Sequence, residues 1–136
     1  MIVVVDASSI GAFLIPDEAG TLADFALMTC LANEIYAPPH LPVELASLIG
    51  TARKRNRLDA EQSRRACADA VTLMTTITLV DGAPLDAVVD YAIEHLLSAY
   101  DAAYALVCER FAAPLLTGDG RLARAAIARG IAILTP

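Results

Sequence analysis

The sequence predicts a doubly wound α/β sheet, and three observations carry that prediction. Short β-branched runs without polar alternation, residues 2–5 (Ile-Val-Val-Val) above all, read as strands buried on both faces, the parallel-sheet kind. These runs alternate with segments of helical apolar spacing. The chain has 136 residues and is 57% hydrophobic, against a usual ~45–50%. That is one domain's length with ample core, and it excludes disorder.

The elements follow in order. Strand 2–5 ends at Asp6, and a short helix is expected around 9–14 with Ser8 or Ser9 near its cap. Residues 18–34 place Leu22, Phe25, Ala26, Met28 and Cys30 at roughly helical spacing. Residues 35–37 read as a second strand, stopped by Pro38-Pro39. Residues 42–56 read as a helix with Pro42 in its first turn and Leu45, Leu48 and Ile49 as its apolar stripe. The next helix starts at residues 58–59 and runs to about residue 75. Asp59 and Gln62 have the spacing of a capping box. Residues 77–80 form a third strand, and 84–98 and 99–112 two helices separated near Tyr100-Asp101. Residues 115–117 are a fourth strand, and 119–129 a helix closed by Gly130. Residues 131–134 are a fifth strand. No repeat or linker interrupts the chain, so residues 1–136 read as one domain.

A formal net charge of -6 argues against a plain electrostatic nucleic-acid binder. The charges are segregated, however. Residues 1–50 and 66–109 hold thirteen of the sixteen acids and no base. Residues 51–65 are net +4 and residues 110–136 net +3. Three widely spaced cysteines (Cys30, Cys67, Cys108) in apolar stretches form no zinc motif and read as small buried hydrophobes, as expected of a reduced, cytoplasmic protein. Residues 1–6 lack signal-peptide character, and no apolar run is long enough for a membrane span. His40 and His95 are isolated and receive no role from sequence.

Four acids occupy special places on this map. Asp6 ends the first strand, and Asp119 follows the fourth in Thr117-Gly118-Asp119-Gly120. Glu44 lies in the first turn of its helix after Pro42, and Asp101 opens another in Asp101-Ala102-Ala103-Tyr104. With right-handed crossovers, strand ends and following helix starts share one sheet edge, where α/β sites form. Clustered carboxylates repel unless a cation neutralises them. Oxygen-only donors suit Mg²⁺ or Mn²⁺, whose chemistry with phosphates is phosphodiester hydrolysis.

On these residues the chain resembles the PIN-domain family, and within it the VapC-type toxin ribonucleases, over its whole length. The resemblance rests on the strand into Asp6-Ala7-Ser8, on Glu44 after Pro42, on Asp101-Ala102-Ala103-Tyr104, and on Thr117-Gly118-Asp119-Gly120-Arg121-Leu122. It implies a three-layer α/β/α fold with a five-stranded parallel sheet. It implies a Mg²⁺- or Mn²⁺-dependent endoribonuclease, the toxin of a type II VapBC pair, forming homodimers and blocked by a VapB-type antitoxin. Asp6, Glu44, Asp101 and Asp119 match the acidic quartet. Asp6, Asp101 and Glu44 are then the metal ligands, with Asp119 on a second ion or a bound water. Ser8 and Thr117 match the hydroxyl residues that orient the acids.

Arg53, Lys54, Arg55, Arg57 and Arg121 are the candidate RNA-phosphate contacts. Aromatics are only 5% and Trp is absent, so base stacking is a weak mode here. Two other readings compete. A receiver-type phospho-acceptor domain needs a Lys near its last strand, and the only Lys is Lys54. A PIN-like module that binds RNA or protein without catalysis would show a broken quartet, and this one is whole.

Overall fold

The computed structural model describes residues 1–136. Four strands, β1 (Ile2–Val5), β2 (Glu34–Ala37), β3 (Ile77–Leu79) and β4 (Leu115–Leu116), form an all-parallel sheet in the order β3-β2-β1-β4. Seven helices connect them: α1 (Ala7–Leu14), α2 (Thr21–Ala32), α3 (Leu41–Lys54), α4 (Ala60–Met74), α5 (Leu85–His95), α6 (Ala99–Phe111) and α7 (Gly120–Ala128). One layer is built by α1 packing on α2, α3 and α4. The other is built by α6, which lies on β1 and β2 and carries α5 and α7. No helix is long and apolar enough to cross a membrane.

The central strand β1 and its neighbour β4 are buried on both faces, as their apolar composition requires, while the edge strand β3 exposes Thr78 and Leu79. Val3, Val4, Val5, Leu115 and Leu116 are fully buried, each worth ~1.5–3 kcal/mol relative to exposure. A small separate cluster of Ile15, Ile49, Ala52, Leu58 and Ala66 lies among α3, α4 and the segment after α1.

The expected fifth strand is the main correction. Residues 131–134 run alongside β4, but only Leu115 and Ile133 pair, as an isolated bridge. Two hydrogen bonds hold them, Leu115 N–H to the Ala132 carbonyl and Leu134 N–H to the Leu115 carbonyl. The cause lies in β4, which Pro114 on one side and Thr117-Gly118 on the other confine to two residues. A fifth strand has too little template.

Smaller departures have local causes. The α1 cap is Asp6 itself rather than a serine. The break between α5 and α6 falls at Leu96–Ser98, not at Tyr100-Asp101. Leu96 takes a left-handed conformation (φ 54°), and the Ser98 hydroxyl accepts the Asp101 N–H. Cys30 and Cys108 are buried, with thiols pushed up by burial to about 11 and about 12, but Cys67 is exposed on α4.

Candidate active site

The parallel strands place every strand end and following helix start along one edge of the sheet. Asp6 sits at its centre, where β1 becomes α1. Its carboxylate is 4% exposed and is surrounded by donors. Oδ1 accepts from the Ser9 N–H at 3.0 Å and from the Ser9 hydroxyl at 3.0 Å. The Ser8 hydroxyl faces both oxygens, at 2.8 and 2.9 Å, and the Thr117 hydroxyl donates to Oδ2. Burial pushes the Asp6 carboxyl up from its ordinary value, and these donors partly oppose it.

The two hydroxyls also join β1 to β4. Ser8 Oγ accepts the Gly118 N–H at 2.9 Å, and Thr117 Oγ1 accepts the Asp119 N–H at 2.9 Å. Each hydroxyl therefore accepts a hydrogen bond from the loop after β4 and donates one to Asp6. Gly118 leaves this approach unobstructed: a Cβ there would lie 3.0 Å from the end of the Leu22 side chain and 3.4 Å from Ser8 Oγ. Asp119 caps α7, its Oδ1 accepting from the N–H groups of Arg121 at 2.8 Å and Leu122 at 3.3 Å.

The other two acids come from opposite layers. Glu44 projects from the first turn of α3, where Pro42 fits because its missing N–H is an orphan there. Asp101 lies in the first turn of α6. Burial raises the Glu44 carboxyl, the adjacent Tyr104 hydroxyl opposes this, and the charges of Asp101 and Asp6 push it further up. Burial raises Asp101 too, with added repulsion from Asp119 and Asp6, and partial relief from Ser98 and Arg121. The charges of Asp6 and Asp101 thus reach Glu44, and those of Asp6 and Asp119 reach Asp101, which links the four predicted acids at one edge. No three His, Cys, Asp or Glu side chains converge tightly enough to ligate a single ion directly.

The predicted basic residues divide. Arg121 acts on Asp101 and so belongs to this edge. Arg53, Lys54 and Arg55 are exposed at the far end of α3, about 15 Å from Glu44 by helical rise. Arg53 donates to the Ser63 hydroxyl at 3.0 Å. Arg57 is engaged in the scaffold, pairing with Asp17 at 2.8 and 2.7 Å and with Glu18 at 2.7 Å.

Three residues at the edge were not singled out for the site from sequence. Ser9 is fully buried and donates to Asp6, a contact legible only as a serine three positions after a strand-ending acid. Tyr104 buries its hydroxyl beside Glu44. His40, four residues before Glu44, brings Nε2 to 2.9 Å from Glu44 Oε1.

An oxygen-only set of mutually repelling acids, three of them raised, fits a hard divalent cation. Such an ion would be held by one or two carboxylates and completed by water, as Mg²⁺ usually is, since no three side chains gather around one point.

The comparisons bear on the fold and the family. The crystal structure of PAE2754 from Pyrobaculum aerophilum superposes with a TM-score of 0.71 at 24% identity, over 92% of this chain and 84% of that one, and so shares the fold. No curated protein matches the sequence. The family model for the PIN domain matches residues 3–128. With the sheet order and the acid-lined edge already described, that match over nearly the whole length means that the chain belongs to the PIN domain family, whose members are generally nucleases that use divalent metal ions.

Proposed function

We propose that residues 1–136 form a single nuclease domain, a metal-dependent endoribonuclease that hydrolyses RNA phosphodiester bonds in the cytoplasm as the toxin of a type II VapBC pair. One observation carries the nuclease reading. Asp6, only 4% exposed, lies near Glu44 and Asp101, whose carboxyls are raised by burial and by the charges of neighbouring acids. A fold keeps such a destabilising set where a cation or a developing positive centre offsets it.

In this reading one or two of Asp6, Glu44 and Asp101 would hold Mg²⁺ or Mn²⁺ directly and the others would act through its bound waters, with Asp119 at a second ion or a bound water. When bound there, such an ion would supply an acidified water and offset charge on the phosphate oxygens. The remaining work falls to the chain. Ser8, Ser9 and Thr117 fix the Asp6 carboxylate in one orientation. Arg121 is the base best placed to meet a phosphate, and Arg53, Lys54 and Arg55 would meet a strand that extends along α3. Arg57 would have to leave Asp17 and Glu18 to join them.

The toxin assignment draws on the sequence resemblance and on apolar surface. A groove lined by Phe13, Leu14, Leu27, Leu31 and Leu73 between α1, α2 and α4 suits the apolar face of an antitoxin segment. A homodimer is proposed on the exposed face of α5.

The test is cleavage of single-stranded RNA by purified protein with Mn²⁺ or Mg²⁺, and with EDTA. Asp101→Asn is expected to lose more than about 100-fold in rate, above the usual effect of disturbing a residue behind a metal ligand. Cleavage undiminished in Asp101→Asn or in EDTA would sink the proposal. RNA binding without cleavage in the wild-type protein would leave the non-catalytic module.

A further inference from the structure

We infer that His40 is a positioning residue for Glu44, holding its carboxylate toward the acid-lined edge. The inference rests on the metal-site reading above. His40 sits at the N-cap of α3, yet its side chain makes no cap hydrogen bond. Asp59 and Ser98, at the same position of α4 and α6, both do. The imidazole is used elsewhere. The i, i+4 spacing puts it on the same face of α3 as Glu44, with Nε2 2.9 Å from Oε1.

The ring is fixed in place. Its centroid lies 5.2 Å from that of Tyr100 and 5.3 Å from that of Tyr104, both edge-on at interplanar angles of 66° and 80°. Swinging away from Glu44 would forfeit both contacts. Meanwhile His40 Nε2, Glu44 Oε1 and the Tyr104 hydroxyl are all buried, and none has a well-aligned hydrogen-bond partner. Buried polar atoms left unpaired are costly, and three at one carboxylate are unusual. Asp6 is the contrast, because hydroxyls and an N–H hold both of its oxygens in place. Glu44 has no such collar, so its direction is set by His40 on one side and Tyr104 on the other. With its proton on Nε2, a neutral imidazole would donate to Oε1 after a small turn of the ring or the carboxylate, and the role needs no change of protonation.

Outer groups that orient a metal-binding carboxylate typically govern affinity for the ion by about 10–100-fold. His40→Phe keeps a ring between the two tyrosines and removes the donor. His40→Gln restores a donor of similar reach. Mn²⁺ binding is measured by calorimetry without RNA, beside the half-saturating Mn²⁺ for cleavage and the melting temperature. His40→Phe is expected to fold, to bind Mn²⁺ about 10-fold more weakly, and to recover most of its maximal rate at high Mn²⁺. His40→Gln should regain most of the affinity. In a Glu44→Gln background, His40→Phe should add nothing, since it acts through that carboxylate. Should His40→Phe fail to fold, His40→Asn, whose amide is too short to reach Oε1, carries the same expectation. A folded His40→Phe or His40→Asn protein with wild-type Mn²⁺ affinity would overturn the inference while leaving the metal site intact. A wild-type protein that binds no Mn²⁺ would overturn the metal site, and this inference with it.

Discussion

Asp6, Glu44 and Asp101 are each raised above the ordinary carboxylate range by burial first. For Glu44 and Asp101, neighbouring acids add to that shift. The sign of the consequence for stability follows from linkage. A carboxylate with a raised folded value binds its proton more tightly folded than unfolded. It therefore subtracts stability at all pH values above the folded value, and returns it as pH falls through that value toward the unfolded one. Metal-free protein should therefore melt at a higher temperature as pH falls from neutral through these raised values toward the ordinary carboxylate range. An equal or lower melting temperature at the lower pH would contradict the charge arrangement. Asp101→Asn tests the same repulsion at neutral pH. It removes a charge that disfavours ionised Glu44, so the variant should melt a few degrees higher than wild type in EDTA and gain less from added Mn²⁺. The acids themselves were legible in the sequence because each stands at a strand end or in a first helical turn. Ser9, Tyr104 and His40 were not, because their roles depend on which atoms meet across different elements. Nothing in the spacing distinguishes Ser9, which reaches Asp6 and the Leu116 carbonyl, from an ordinary capping serine.

Elements follow local rules where those rules are strong. The capping box of Asp59 and Gln62 is made in both directions, at 2.7 and 2.9 Å, and α4 starts where it predicts. Gly130 takes φ 77° past the end of α7 as a C′ glycine should. The fifth strand failed because its existence depended on the length of its neighbour, which its own residues do not encode. Leu96 and Ala112 show the same limit. Both close helices in the left-handed conformation (φ 54° and 49°) without being glycine, so neither advertises a helix end. That conformation costs an L-residue about 1–2 kcal/mol. Glycine would relieve the strain but lose more entropy on folding. Ala112 is exposed, so its methyl packs on little. Ala112→Gly should therefore stabilise the protein by about 0.5–1 kcal/mol in urea unfolding. A destabilised variant would show that the strain at this helix end is smaller than its φ implies.

At the scale of the molecule, two compositional features acquire locations. The net charge of -6 includes four acids that a cation would partly neutralise, while Arg121 stands at the same edge, so whole-chain charge understates the capacity to meet a phosphate. The 57% apolar content exceeds what the core absorbs. Along α5 and its cap, Leu85, Val89, Ile93 and Leu96 are 85%, 51%, 70% and 82% exposed, at spacings that keep the first three on one face. Tyr100, 61% exposed, continues past them to the turn that presents Asp101. Large apolar side chains left in water on one helix are uncommon in a lone protomer. The proposed homodimer would cover them, with a second α5 supplying the like surface that a two-fold contact requires. Light scattering on the eluting protein should then give twice the 14.3 kDa chain mass. Ile93→Asp puts a charge in the middle of the stripe and touches no acid of the site. It should elute at the single-chain mass with its helical content unchanged. A wild-type protein that elutes at the single-chain mass at working concentrations, or an Ile93→Asp variant that remains dimeric, would remove α5 as the contact and leave its exposed face for another partner.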